Sequence, residues 1–262
     1  MTGITAPRNP RVNWRNSQSR GLIGWWPNFN SNSVSIKEIT GLSGDAAAQG
    51  TGSLSWQTPP RWFPPATANT TWGFRGAFTP PADSTPWTMC CWGTRPSTGD
   101  FLTMMFFGSE ATNKGPHLMW YNAAGFLRAA IYGSTSVDVS LSGVLAVGEF
   151  AHLAFTYDGA NTRSYVNGKL VGGPTAATYQ AGSSFAYIQT MATGNRCPTP
   201  VYDARIYNRA LSTDELTQIY KDPSRLWTHR RSRGKAPAVA GGGLVGDGLT
   251  RGKLISRRRL AA

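Results

Sequence analysis

Thr162-Arg163-Ser164-Tyr165-Val166-Asn167-Gly168-Lys169-Leu170-Val171 sets two extended runs on either side of an Asn-Gly dipeptide. Asn and Gly both tolerate positive φ, which a type I′ turn demands at its two central positions, and the twist of that turn matches the strands it joins. The stretch is therefore a β-hairpin. Just before it, Ala151-His152-Leu153-Ala154-Phe155-Thr156-Tyr157 alternates with period two. Leu153, Phe155 and Tyr157 share one face of a strand, and His152, Ala154 and Thr156 take the other.

Strand-type runs recur on both sides of this pair. Upstream they occupy residues 21–27, 70–78, 87–94, 101–107, 117–121, 126–132 and 137–141, and downstream 184–189 and 201–207. Pro80-Pro81, Pro96, Gly99, Gly108, Gly115-Pro116 and Gly133 punctuate them as turns. A single helix follows. Ser212 as N-cap with Glu215 three residues on forms a capping box, Asp214 adds favourable charge in the first turn, and Leu216, Ile219 and Tyr220 repeat at helical spacing until Pro223. Ten Trp, nine Tyr and eleven Phe with thirty Gly and seventeen Pro fit short strands and tight turns rather than helices. The pattern is that of an all-β domain with one closing helix.

Charge divides the chain in three. Residues 21–224 hold twelve Lys/Arg against twelve Asp/Glu, whereas residues 1–20 carry a net +4 and residues 225–262 a net +9, which together make the whole +13. A body that bound nucleic acid over its own surface would carry a basic stripe, and this body is electrically balanced. The reading is a basic N-terminal arm over 1–20, a folded body over 21–224 and a basic C-terminal arm over 225–262. The C-terminal arm contains the spacer Ala236-Pro237-Ala238-Val239-Ala240-Gly241-Gly242-Gly243.

Cys90, Cys91 and Cys197 are too few for a disulfide framework and lack metal-site spacing. Adjacent Cys90 and Cys91 point to opposite faces of one strand, as buried thiols. Met1-Thr2-Gly3-Ile4-Thr5-Ala6-Pro7-Arg8 has no apolar stretch after its charge, and no uninterrupted apolar run approaches eighteen residues. The expectation is synthesis in a cytoplasm, no membrane span, and an outside location reached by assembly into a particle.

Three blocks carry a family resemblance: Phe150-Ala151-His152-Leu153-Ala154-Phe155-Thr156-Tyr157-Asp158-Gly159, then Tyr165-Val166-Asn167-Gly168-Lys169-Leu170, then Asp203-Ala204-Arg205-Ile206-Tyr207-Asn208-Arg209-Ala210-Leu211-Ser212-Thr213-Asp214-Glu215-Leu216. In order and spacing, with Gly21-Leu22-Ile23-Gly24-Trp25-Trp26-Pro27 as an opening strand, they resemble the laminin-G-like jelly rolls of the concanavalin A-like lectin and glucanase superfamily. The resemblance covers about 21–222. It implies a two-sheet antiparallel jelly-roll sandwich, used for sugar or protein binding and also as a virion module of tailed bacteriophages. Such a fold hosts many functions.

Glycoside hydrolysis, present among relatives of this fold, needs two carboxylates facing each other across the scissile bond. Glu110, Asp138, Glu149, Asp158 and Asp203 each stand alone in their segments, and Asp214-Glu215 opens the helix. His117 and His152 lie on strands and His229 in the basic arm. No Gly-x-Ser-x-Gly elbow is present, and Gly241-Gly242-Gly243 lacks the Lys-Ser/Thr of a phosphate loop. The expectation is a protein without catalytic residues and without a cofactor. Calcium is the alternative, with Asp158 and Asp203 as oxygen ligands, short of the six or more such an ion collects. Asp158 also reads as a turn residue bonding its own backbone, and Ala204 stands where the family often shows a second acid.

In the arms, Arg8, Arg11, Trp14, Arg15 and Arg20, then Trp227, Arg230, Arg231, Arg233, Leu244, Leu249, Leu254, Arg257, Arg258 and Arg259 read as partner-binding residues, apolar anchors set between charges. The leucines, five apart with glycines between, fit neither helix nor strand and suit docking on protein. The expected function is a non-enzymatic virion structural protein, a capsid decoration or other surface-displayed component, strapped by its basic arms to a major capsid or other virion protein or to further copies of itself. A carbohydrate-binding adhesin module that takes a host-surface glycan is the alternative. Contact of the arms with nucleic acid, which would weaken with salt, is the second.

Overall fold

The computed structural model describes residues 11–27, 35–36, 38–43, 45–49, 73–191, 197, 199 and 201–226. Their strands are β1 (Leu22–Trp26), β2 (Ser35–Ile36), β3 (Ala46–Gln49), β4 (Gly73–Ala77), β5 (Trp87–Thr94), β6 (Leu102–Phe107), β7 (Pro116–Tyr121), β8 (Phe126–Ile131), β9 (Ser136–Ser140), β10 (Phe150–Tyr157), β11 (Asn161–Val166), β12 (Lys169–Ala176), β13 (Phe185–Ile188) and β14 (Val201–Tyr207). They form a six-stranded sheet, β1-β14-β5-β10-β11-β12, and an eight-stranded sheet, β2-β3-β4-β13-β6-β7-β8-β9. Neighbours pair antiparallel, as in β5 with β10 and β7 with β8. One α-helix, α1 (Thr213–Lys221), and short 3-10 turns at Ser17–Ser19 and Pro223–Leu226 complete it. The all-β sandwich with a closing helix is as expected. β2 and β3 were not read from the sequence, since an Ala-Ala-Ala-Gln run carries little strand preference.

The two sheets enclose the main core. Trp26, Met89, Leu153, Phe155 and Ile206 from one meet Phe74, Phe107, Leu118, Trp120, Leu127 and Ile188 from the other. Trp87, fully buried, meets the rings of Phe107, Phe155 and Tyr179 edge-on at 5.5, 5.1 and 5.7 Å, the arrangement that aromatic quadrupoles favour. The period-two reading of β10 holds: Leu153, Phe155 and Tyr157 belong to this core, while Ala154 belongs to a second one. Cys91 likewise faces inward and Cys90 outward, and all three thiols are buried and free. Burial pushes the Cys90 thiol up to about 12.

The second core lies on the outer face of the six-stranded sheet. Leu22, Trp25, Cys90, Ala154, Tyr165 and Tyr207 are covered there by Leu216 and Ile219 of α1, by Leu211 and Leu226, and by Val12. The Asn167-Gly168 turn has φ of 52° and 77° and joins Val166 to Lys169 directly. It also seats the helix, because Thr217 Oγ1 donates to the Gly168 carbonyl at 3.0 Å. The Ser212/Glu215 capping box is formed, and Arg209 bridges Glu215 at 2.7 Å.

Beneath the helix lies a buried ion pair. Arg205 Nε and NH2 donate to Asp203 Oδ1 and Oδ2 at 3.0 and 2.6 Å, Trp25 Nε1 donates to Asp203 Oδ1 at 2.6 Å, and Arg205 NH2 also reaches the Pro223 carbonyl at 2.8 Å. The guanidinium carbon sits 4.4 Å from the Trp25 ring centroid. Burial pushes the Asp203 carboxyl up, and the guanidinium and the indole N–H draw it back.

Residues 11–20 correct the reading of a free N-terminal arm over 1–20. Val12, Gln18 and Ser19 are buried. Asn13 N–H donates to the Leu226 carbonyl at 2.6 Å, Asn16 Nδ2 to the Arg225 carbonyl at 3.1 Å, and Gln18 Nε2 to Gln218 Oε1 at 2.7 Å. The folded body therefore includes 11–20 and reaches Leu226, beyond the 21–224 expected. The charge tally missed this because arginines on a segment's exposed side do not prevent its apolar side from packing. Among the described residues no helix is long and apolar enough to cross a membrane.

His117 and His152 are buried, and burial pushes their pKa values down to about 4 and about 3. In the unfolded chain a histidine titrates near 6.5, so below that pH the unfolded state binds protons that the folded state refuses. Between pH 7 and 5 each histidine is expected to remove roughly 2 kcal/mol of stability. Urea denaturation across that window measures the slope, and His117→Gln with His152→Gln should flatten it.

Candidate functional site

While α1 covers the outer face of the six-stranded sheet, the outer face of the eight-stranded sheet carries a groove. Strand alternation puts Leu118 and Trp120 of β7 and Leu127 and Ala129 of β8 into the main core, so His117, Met119, Tyr121, Arg128 and Ala130 face outward. Outward residues of neighbouring strands, Phe106 and Tyr187, pack with Met119 and Met191 in a small apolar cluster. Beside it opens a groove of about 370 Å3. Its sides come from Phe101 before β6, from Tyr132, Gly133, Ser134, Thr135 and Ser136 around the β8–β9 turn, and from Met191 after β13.

Phe101 is held in an uncommon conformation. Its φ is 52° and its side chain is 41% exposed, although a bulky residue rarely enters the left-handed region without compensation. Asp100 supplies that compensation: Oδ1 accepts from the N–H of Phe101 at 3.0 Å and from the N–H of Asn122 at 2.7 Å, tying the β5–β6 loop to the β7–β8 turn. The Phe101 ring then stands edge-on to Tyr121 at 5.0 Å. Tyr132, 38% exposed, offers a second aromatic surface.

Arg128 is committed within the protein. It lies opposite Asp138 in the β8–β9 register, Nε donating to Oδ1 at 2.7 Å and NH2 to Oδ2 at 2.6 Å, and its guanidinium carbon sits 3.5 Å from the Tyr121 ring centroid. The bond to Asp138 holds its pKa above the ordinary value. His117 pairs Nδ1 with the Gly115 carbonyl at 2.9 Å. A carbonyl only accepts, so Nδ1 carries the proton and Nε2 of the neutral ring keeps its lone pair. The groove thus combines aromatic surface, a ring acceptor and the hydroxyls of Ser134, Thr135 and Ser136, an arrangement able to hold a flat ligand that bears hydroxyl groups.

The residues expected to hold calcium are spent elsewhere. Asp158 Oδ1 accepts from the N–H groups of Ala160 and Asn161 at 3.0 and 2.8 Å, and Oδ2 from Arg163 at 2.6 Å. It is the turn residue of the alternative reading. Asp203 is enclosed with Arg205 and Trp25, and the described residues include no group of three or more His, Cys, Asp or Glu side chains placed to hold a metal. Of the arm residues, Arg11, Trp14, Arg15 and Arg20 have exposed side chains on the folded 11–20 segment, Trp14 at 53%. Arg8, Trp227, Arg230, Arg231, Arg233, Leu244, Leu249, Leu254, Arg257, Arg258 and Arg259 lie outside the described residues. None of the groove residues was singled out as a binding residue from sequence. The signal available was the hairpin register, which sets Arg128 opposite Asp138.

The sequence profile of Laminin_G_3, described as concanavalin A-like lectin/glucanases superfamily, matches residues 69–217, more than half of the 262-residue chain. No curated protein sequence matches. Among solved structures, domain 4 of AbnA, a GH43 extracellular arabinanase from Geobacillus stearothermophilus in complex with arabinotriose, aligns at a TM-score of 0.55 and 17% identity, over 76% of this chain and 98% of that one. The binding domain of botulinum neurotoxin DC aligns in its complex with SialylT at 0.55 and 12% identity, over 79% of this chain. In its complex with rat synaptotagmin II it aligns at 0.53 and 13%, over 77%. This chain spans about half the length of those neurotoxin domains, 52% in each case. At these identities the likeness is one of fold.

Replacing Asp100 by Ala removes the acceptor of two backbone N–H groups, and bonds to a charged acceptor are worth about 1.5–3 kcal/mol. In Asp100→Ala the amides of Phe101 and Asn122 should exchange with deuterium at least about tenfold faster, while those of β10 and β14 keep their protection.

Proposed function

The chain belongs to the Laminin_G_3 family of the concanavalin A-like lectin/glucanases superfamily, and from that premise we propose that it is a non-catalytic carbohydrate-binding module. The observation that carries the reading is the groove on the eight-stranded sheet, which the exposed ring of Phe101, the acceptor of His117 and a run of hydroxyls line together. A sugar ring has an apolar C–H face that packs on an aromatic surface and equatorial hydroxyls that need donors and acceptors, and small-molecule sites pair these two features. Among the described residues no groove-lining side chain is a carboxylate, whereas glycoside cleavage requires two. The arabinanase domain solved with arabinotriose lends support from the same fold.

A second reading concerns where such a module is displayed. The described chain begins at Arg11 and ends at Leu226, and the two ends are joined by the bonds of Asn13 to Leu226 and Asn16 to Arg225, on the sheet face away from the groove. The sequence places strong positive charge beyond that junction. Attachment through the basic ends to a capsid or other virion protein would leave the groove facing outward, as suits a particle surface that meets a host glycan.

Immobilised oligosaccharides should retain the full-length chain, and Phe101→Ala should weaken retention at least about tenfold, a loss of about 1.4 kcal/mol, at an unchanged melting temperature. Equal retention of both proteins rejects the groove as the sugar site. For display, deletion of residues 1–10 and 227–262 should leave a folded monomer that no longer enters particles. Normal incorporation of that protein refutes attachment by the ends, and salt-sensitive retention of the full chain on DNA would assign the charge to nucleic acid instead.

A further inference from the structure

Among the described residues that line the groove, Arg128 is the one with a formal charge, and that charge is already matched. Both of its bonds to Asp138 are 2.7 Å or shorter, in the forked geometry that makes arginine–carboxylate pairs the strong ones. His117 adds no charge, since burial, aided by the Arg128 cation, pushes its pKa down to about 4 against the Gly115 carbonyl, Glu110 and Asp138. Three carboxylates stand near the groove: Asp138 on Arg128, Asp100 beneath Phe101, and Glu110, whose field reaches His117. Among these groups the carboxylates outnumber the one guanidinium, although the chain as a whole is strongly basic.

We infer that the groove selects uncharged saccharides and rejects acidic ones, a specificity that rests on the carbohydrate-binding reading and sharpens it. A carboxylate- or sulfate-bearing sugar entering here would lose hydration without gaining an unshared cation, and burying a charge without a partner is costly. To recruit Arg128 it would have to displace Asp138, leaving that carboxylate unpaired beside the newcomer. A neutral ring meets neither cost. Along the groove an oligosaccharide can lay a C–H face on Phe101 beside Tyr121 and, farther along β7, offer hydroxyls to the His117 Nε2 lone pair and the Ser134 and Ser136 side chains. Asp138 acts here without touching the ligand, as the residue that cancels the one cation of the site.

The test uses the full-length chain and a panel of neutral oligosaccharides, arabino-, gluco- and galacto-configured, each paired with a counterpart carrying a uronic or sialic acid. Affinities are measured by titration at low and high salt. Because the basic ends attract anions on their own, the binding that survives in Phe101→Ala is subtracted. The expected result is binding of at least one neutral ligand, changing less than about twofold with salt, with its acidic counterpart at least about tenfold weaker. Asp138→Asn should then raise the affinity for the acidic counterpart at least about tenfold, in a salt-dependent way, and leave the neutral ligand within about threefold. A merely structural role for Asp138 would lower both affinities together. Groove binding of acidic sugars in preference to neutral ones overturns the inference while sustaining the carbohydrate reading. Absence of groove binding by either class overturns both.

Discussion

Arg205 and Asp203 are both buried, and ionised groups persist in such a place only when each meets the other in good geometry and further hydrogen bonds support the pair. Here the fork is complete, the Trp25 indole supplies a further donor and the Pro223 carbonyl a further acceptor, while Arg205 Nη1 has no hydrogen-bond partner and the guanidinium rests on the Trp25 ring. Those four residues come from β1, β14 and the turn after α1, so satisfying the ion pair requires the chain beyond the helix to lie on the six-stranded sheet. Removal of one partner would strand a charge, at a cost of about 3–5 kcal/mol. With the helix seated, Val12 and Leu226 complete the second core, and the six-stranded sheet is packed on both faces.

That packing decides where a ligand can bind. The six-stranded sheet has apolar residues on both sides of its central strands, as β5 shows with Cys91 facing inward and Cys90 outward. Among the described residues, the eight-stranded sheet is packed on its inner face and only partly covered outside, where Met191 packs with Phe106, Met119 and Tyr187 and leaves the neighbouring strip open. The residues that line the groove therefore gather on β7 and β8 and in the loops that border them. The strained Phe101 stands at that border, where a rigid scaffold can hold an uncommon backbone conformation that an isolated loop would relax.

The features legible in the sequence were those fixed by local chemistry. Asn167-Gly168 has one economical conformation between two strands, Ser212 and Glu215 can satisfy each other's backbone N–H groups, and period-two alternation assigns the faces of β10. The groove depends instead on which strands become neighbours, and its residues come from β7 and β8, from the segments before β6 and after β8, and, as Met191, from beyond β13. Asp203 shows a different failure. Residues two apart on a strand share a face, so its partner Arg205 was within reach of the same rule that placed the β10 side chains. Taken alone its carboxylate counts as an oxygen ligand, but an acid beside an arginine on a buried face is an ion pair before it is a metal ligand. The N-terminal boundary failed because a sum of charges says nothing of Val12, whose side chain fills the gap between β1 and the helix.

The folded positions of residues 11–20 also change what the basic ends can do. An arm free from residue 1 could seek a partner independently of the body, at a conformational cost of about 1–2 kcal/mol for each residue ordered. A segment already bonded to Leu226, Arg225 and Gln218 has met that cost during folding. Arg11, Trp14, Arg15 and Arg20 then form an ordered surface beside the closing helix, and the point where the described chain starts is fixed against the point where it ends. A module tied at one face in this way has its groove on the other, because the two outer faces are built from different sheets.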